Sequence, residues 1–282
     1  MPEFILKNTL EHYFQEPVQK VTALSGGDIN KVYRIDTTKR SYIAKLNNHP
    51  DAFKMFKAEK NGLSFLRNTS TFCIPEVFLV EKEKEYSFIV MQYIEANAKS
   101  DNYDEYLGRQ LAKMHQTTRE KFGFESSNFI GTLPQLNENQ DTAAGFYIEM
   151  RLIPQIRMAK EKGFDLKIDK LYQNIATLIP EEVPALVHGD LWSGNVIKDE
   201  KGLPCLIDPA VAFAPRETDL AMMQLFGGFS EKTFDSYHEY YPLKSGWKER
   251  TVIWQLYYLL VHLNLFGTPY YPRVKSVIQK YN

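Results

Sequence analysis

Apolar and polar positions change their period part-way along this chain. The first third carries short runs rich in β-branched and aromatic residues at 21–24, 31–35 and 42–46, separated by Ser25-Gly26-Gly27-Asp28 and Thr37-Thr38-Lys39-Arg40. Both separators have turn chemistry, so the runs predict a three-stranded antiparallel meander. Phe53, Phe56, Leu63 and Leu66 then recur at helical spacing over the proline-free segment 52–67, which predicts a helix packed on that sheet. Strands follow at 77–81 and 87–93, with the charged Lys82-Glu83-Lys84-Glu85 as a solvated hairpin tip. Beyond Ile94 the period becomes helical: 103–115 places Tyr103, Leu107, Leu111 and Met114 on one face, and 146–160 and 171–178 continue in kind. Brief strands at Val187, 196–197 and 206–207 interrupt this half before helices resume at Leu220. The segment 252–263 is apolar almost all round, the mark of a central helix. The expected architecture is α+β and two-lobed: residues 1–95 as a small antiparallel-sheet lobe with one main helix, and 96–282 as a larger, mostly helical lobe, the join lying at 95–99.

Composition narrows the function classes. The 282 residues are 44% hydrophobic and 13% aromatic, as in a packed globule, and the formal net charge is −1. Nucleic-acid binding through counterion release needs a basic excess that this chain lacks. Cys73 and Cys205 are too few for a disulfide framework and form no C-x-x-C pair, so two reduced, buried thiols are expected. Glu3, Lys7, Glu11 and His12 break up the apolar residues of the N-terminal segment, unlike a secretory leader. The apolar-rich stretch 252–266 contains Gln255, His262 and Asn264 and falls short of the ~20 residues that span a bilayer. A soluble, cytoplasmic protein with no membrane partner is the expectation.

Candidate chemistry concentrates in His188-Gly189-Asp190-Leu191-Trp192-Ser193-Gly194-Asn195, followed by Leu206-Ile207-Asp208. These residues fit the H-x-D-L-x-x-x-N loop of phosphoryl-transfer enzymes, with a second Asp at the end of an apolar strand. Asp199-Glu200-Lys201-Gly202 has turn chemistry, so the intervening chain folds back as a hairpin that Asn195 enters and Asp208 leaves. An amide oxygen and a carboxylate brought together there suit Mg²⁺. Asp190, just upstream, would accept a hydroxyl proton. Taken singly, each of these residues reads better as a turn former; jointly they point to catalysis. His188 reads as a loop-bracing ring. Lys45 on the third strand would meet nucleotide phosphates, and Glu59 on the first helix would orient it. Gly26 and Gly27 sit where backbone N–H groups cover phosphates, although a plain turn explains them as well and Asp28 at the tip would repel phosphate unless it points away. Gln92, Tyr93 and Ile94, at the lobe join, offer backbone groups to an adenine edge.

Beyond these residues the chain contains LSGGDIN at 24–30, YIAKLN at 42–47, FGFESSNFIGTLPQLN at 122–137, RLIPQ at 151–155, the 206–229 run ending DLAMMQLFGGF, and HLNLFG at 262–267. With HGDLWSGN at 188–195, these motifs make the sequence resemble the fructosamine kinase (ketosamine 3-kinase) family, a branch of the aminoglycoside phosphotransferase-like kinases, over nearly its whole length. The resemblance implies a protein-kinase-like fold, ATP with Mg²⁺, and phosphorylation of the sugar 3-hydroxyl of ketosamines, which assists deglycation. By position it implies Lys45 on the phosphates with Glu59 as partner, Asp190 as base, Asn195 and Asp208 on the metal, and Trp192 as a platform for the sugar; a core position for Trp192 is the alternative. Asp219 would cap a helix and tie down the catalytic loop. Two departures stand out. Residues 138–146 read ENQDTAAGF where the family has tryptophan and paired aromatics, which bears on substrate breadth. Asp208 is followed by Pro209-Ala210, as in small-molecule kinases, not by the Phe-Gly of a protein-kinase switch. The competing readings are a kinase for another hydroxylated amine, such as an aminoglycoside or a choline-like alcohol, and a nucleotide-binding pseudokinase. A monomer or a homodimer fits equally.

Overall fold

The computed structural model describes residues 2–24 and 29–282; Gly26, Gly27 and Asp28 of the predicted phosphate-covering turn lie outside the described residues. A helix, α1 (Pro2–Phe14), precedes five strands, β1 (Val18–Leu24), β2 (Lys31–Thr37), β3 (Ser41–Asn47), β4 (Val77–Glu83) and β5 (Tyr86–Gln92), with α2 (Ala52–Asn68) between β3 and β4. All neighbouring strands are antiparallel, in the order β1-β2-β3-β5-β4. Successive side chains on a strand point to opposite faces. On β3, Tyr42, Ala44 and Leu46 therefore share one face with Phe88 and Val90, where Leu6 and Leu10 of α1 cover them. Ile43 turns to the other face, where Ile89 and Met91 pack with Phe56, Leu63 and Leu66 of α2. Lys45 is in phase with Ile43, so the same alternation carries it to the α2 side. The helix α1 was not expected from the sequence; its interrupted apolar pattern hides that Leu6 and Leu10, four residues apart, seal the sheet.

The second half is mostly helical: α3 (Tyr103–His115), α4 (Ala143–Tyr147), α5 (Ile153–Glu161), α6 (Leu171–Leu178), α7 (Glu217–Leu225), α8 (Glu231–Tyr240), α9 (Trp247–Phe266) and α10 (Tyr271–Tyr281). Three two-stranded ribbons interleave with them: β6 (Asn128–Ile130) with β7 (Leu133–Gln135), β8 (Ala185–Val187) with β11 (Ala212–Ala214), and β9 (Val196–Lys198) with β10 (Pro204–Leu206). The single helix expected at 146–160 begins instead at Ala143, after Thr142 caps it by accepting from the Gly145 N–H (3.0 Å). A π-helical stretch at Ile148–Leu152 separates α4 from α5. The central helix is as expected, though longer: α9 buries Ile253, Trp254, Leu256, Leu259, Leu260 and Leu263 in the main core. Its Arg250 and Trp254 both donate to the buried Glu217 carboxylate on α7, at 2.6 to 3.0 Å.

Both cysteines are free, but only Cys205 is buried. Cys73 is half-buried and faces Cys205 across an isolated parallel bridge. Among the described residues, no helix is long and apolar enough to cross a membrane.

Candidate active site

Lys45 is buried, and its ammonium is held by two carboxylates: Glu59 of α2 at 2.7 Å, and Asp208, which follows β10. Burial alone disfavours the charge, but Asp208 and Glu59 outweigh it and hold Lys45 protonated well beyond its ordinary range. Burial pushes the Glu59 carboxyl upward, against the pull of Lys45. Asp208 has a φ of +56°, the left-handed region that Asp enters at modest cost.

The catalytic-loop residues meet Asp208 through the β9–β10 hairpin. Val196 pairs with Leu206, and the Ile207 N–H donates to the Asn195 carbonyl (3.1 Å), so Asn195 and Asp208 stand at its mouth. The Asn195 side-chain amide donates to the Asp190 carbonyl (2.8 Å) and to Asp190 Oδ2 (3.1 Å). Its NH₂ group is thereby spent on Asp190, which identifies Oδ1 as the atom left to accept or ligate. Burial, with a further contribution from the Asp208 charge, raises the Asp190 carboxyl to about 7, although Asn195 opposes the shift. An amide oxygen and a carboxylate form a hard-oxygen donor set that fits Mg²⁺, with phosphate and water completing the shell. No cluster of three or more His, Cys, Asp or Glu that could hold a metal occurs among the described residues.

The loop is braced from beneath. His188 is fully buried; its Nε2 donates to the Ile207 carbonyl (2.9 Å) while Nδ1 accepts from the Asp190 N–H (3.3 Å). Those partners fix a neutral ring, and burial lowers its pKa in the same sense. The role is the structural one read from the sequence. Asp219, also fully buried, accepts from the His188 N–H (2.7 Å) and the Gly189 N–H (2.9 Å). It ties the loop down as expected, but as the third residue of α7 and not as its cap. The bracing also uses residues that sequence reasoning missed. His115 bonds Asp219 (3.2 Å) and Tyr237 (2.8 Å), and the Tyr258 hydroxyl donates to the Gly189 carbonyl (3.1 Å). Gln135 donates to the Ala210 carbonyl (3.0 Å), and Tyr257 donates to Gln135 (2.7 Å). Gly189 has a φ of +83°, and a Cβ there would stand 2.0 Å from the Ala210 carbonyl oxygen, so this close approach of two chains admits only glycine.

Trp192 is 40% exposed, which excludes the core alternative. Its indole lies across Gly194, where a Cβ would fall 2.2 Å from the ring. At the lobe join, the Gln92 N–H already donates to the Glu76 carbonyl (2.8 Å). Of the Gln92 backbone groups, the N–H is therefore engaged by the neighbouring strand segment. The Tyr93 hydroxyl accepts from Arg34 (3.1 Å), and Ile94 follows half-buried.

This geometry belongs with a match along the chain: the family model for fructosamine kinase fits residues 3–282. The chain belongs to the fructosamine kinase family. Within or near that family, it is 40% identical over 271 residues to a protein of Enterococcus faecium assigned as a ketoamine kinase, covering 93% of this chain and 95% of that one. It is 34% identical over 273 residues to the chloroplastic protein-ribulosamine 3-kinase of Arabidopsis thaliana, covering 94% and 83%. A crystal structure assigned as a fructosamine-3-kinase, from Haemophilus somnus 129PT, superposes with a TM-score of 0.89 at 25% identity, covering 98% and 96%. The aminoglycoside phosphotransferase APH(4)-Ia, solved with AMP-PNP and hygromycin B, shares the fold at a TM-score of 0.60 and 18% identity, covering 97% of each chain. The two-lobed, kinase-like α+β fold read from the fructosamine kinase motifs is therefore the fold this chain adopts.

Proposed function

We propose that this fructosamine kinase family member is an ATP-dependent kinase that phosphorylates the 3-hydroxyl of ketosamines, free or on protein lysines, and so assists deglycation in the cytoplasm. The observation that carries the reading is the convergence of Lys45, Glu59 and Asp208 from β3, α2 and the end of the catalytic hairpin, beside an Asp190–Asn195 pair. Residues 1–95 bind the nucleotide and 96–282 bind the acceptor. Lys45, held charged and oriented by Glu59, meets the phosphates, with Gly26 and Gly27 assigned to cover them and the backbone of Gln92, Tyr93 and Ile94 to the adenine. Asn195 and Asp208 hold Mg²⁺. Bound Mg-ATP supplies the transferable phosphoryl group and the cation that offsets its charge.

The protein's own part is positioning and proton acceptance. Asp190 orients the acceptor hydroxyl and takes its proton; a carboxyl titrating at about 7 is well matched to that task at neutral pH. Trp192 offers its exposed indole face to the sugar. His188 and Asp219 keep the loop in register.

The test is ATP turnover on ribulosyl-lysine, fructosyl-lysine, kanamycin and choline side by side, with the product mass measured. The proposal expects a phosphate on a ketosamine and kcat/KM at least ~100-fold above the other acceptors. Preference for kanamycin or choline rejects the substrate class, and Mg-ATP binding without transfer to any acceptor returns the pseudokinase reading.

A further inference from the structure

Four aromatic rings gather near the C-terminal end of α9 with no part in the steps above. His262 is central: its ring centroid lies 4.9 Å from Phe226, 5.6 Å from Phe266 and 5.0 Å from Tyr270. The interplanar angles lie between 46° and 49°, so the rings splay around it and do not stack. Phe226 and Phe266 are 42% and 47% exposed, a poor arrangement for mere packing.

The fold connects this group to the catalytic loop at two points. Phe226 ends α7, and Gly228, two residues on, packs so closely that a Cβ there would lie 2.6 Å from the Ser193 Cβ, next to Trp192. His262 lies one turn beyond Tyr258, whose hydroxyl bonds the Gly189 carbonyl. The same end of α9 reaches the other lobe: a Cβ on Gly131 would touch both Leu265 (2.9 Å) and Ile29 (3.2 Å). The rings thus adjoin elements that hold the loop at both Gly189 and Ser193.

The chemistry of the rings suits a cation. Nδ1 of His262 donates to the Tyr258 carbonyl (2.8 Å), and burial lowers its pKa, so the ring stays neutral and does not repel positive charge. Phe and Tyr faces attract ammonium groups, more strongly as water is excluded. A ketosamine carries a protonated secondary amine only a few bonds from its 3-hydroxyl, so an acceptor whose hydroxyl meets Asp190 brings a cation into the surroundings of the loop.

We infer that Phe226, His262, Phe266 and Tyr270 form an aromatic subsite that receives the ammonium arm of the acceptor. This rests on the ketosamine reading and extends it, because it makes the amine a recognised group and not just a leaving substituent. The probes are 1-deoxy-1-(butylamino)fructose and its neutral 1-O-butyl ether. Phe266→Ala and Phe226→Ala alter exposed rings, so folding is preserved and can be checked by thermal melting.

Each substitution is expected to raise KM for the amine probe about 10-fold, with KM for the ether and for ATP moving less than about 2-fold. Phe266→Tyr, which keeps a ring, is expected to restore the wild-type KM. Equal losses on amine and ether, or no loss on either, overturn the subsite. A wild-type protein that phosphorylates neither probe overturns the ketosamine reading itself, and the subsite with it.

Discussion

Burial and the neighbouring Asp208 keep a proton on Asp190 up to about pH 7, whereas the same carboxyl in an unfolded chain ionises near pH ~3.9. Between those values the folded protein binds the extra proton, so stability from this site is complete below about pH 4 and is lost as pH rises through 7. Asp190→Asn removes the penalty. The variant's melting temperature relative to wild type is expected to be about 2–5 °C higher at pH 8 than at pH 5, measured without nucleotide. A difference independent of pH contradicts this account. In the same variant, turnover is expected to fall at least ~1000-fold while ATP affinity changes by less than about 3-fold, measured by single-turnover kinetics and calorimetry. Gly189 is constrained differently, by space and backbone angle. Gly189→Ala forces the new methyl onto the Ala210 carbonyl, and a loss of about 3 kcal/mol or more in urea unfolding is expected.

At the level of elements, α3, α7, α8 and the catalytic loop are joined by one buried chain of hydrogen bonds. Arg216, paired with Glu182 at 2.8 Å, reaches the Tyr237 hydroxyl, which reaches His115, which reaches Asp219 beneath His188 and Gly189. Asp219→Ala strands two buried N–H groups and the His115 ring, and an expected cost of about 3 kcal/mol or more accompanies a fall in turnover. Urea titration beside kinetics checks both. Asp219 was legible as support for the loop only through the resemblance to the fructosamine kinase family, since an Asp at the head of a helix is by itself an ordinary cap. His115 and Tyr237 were not legible: a helical His and a helical Tyr look the same whether they bond each other or face water, and only tertiary packing brings positions 115 and 237 together. Strand β11 was hidden for a related reason. Its three residues, Ala212-Phe213-Ala214, carry no alternation of their own, and their partner β8 lies far back in the chain. The π-helical stretch has no signature in apolar spacing at all.

For the molecule as a whole, the change from period two to helical period revealed both halves, and the order Lys45, Glu59, Asp190, Asn195, Asp208 indicated that they meet. What it could not indicate was that Lys45 bonds Asp208 directly, because that contact joins the sheet to the hairpin. Lys45→Met removes the cation from between two carboxylates. It is expected to weaken ATP binding at least ~10-fold, and calorimetry measures the change. If Asn195 and Asp208 carry Mg²⁺, ATP should raise the melting temperature only when the metal is present, and excess EDTA should abolish most of that shift.

The catalytic hairpin is also held at its far end. The Asn97 N–H donates to the Asp199 carbonyl (3.2 Å), its side chain to the Glu200 carbonyl (3.0 Å), and the Ser100 N–H to the Gly202 carbonyl (3.1 Å). The strap that leads from β5 to α3 therefore grips the tip of the arm whose opposite end carries Asn195 and Asp208. Residues 97–100 are thereby tied through the hairpin to the positions of Asn195 and Asp208, and shortening or stiffening this segment is expected to alter turnover from the far side of the hairpin.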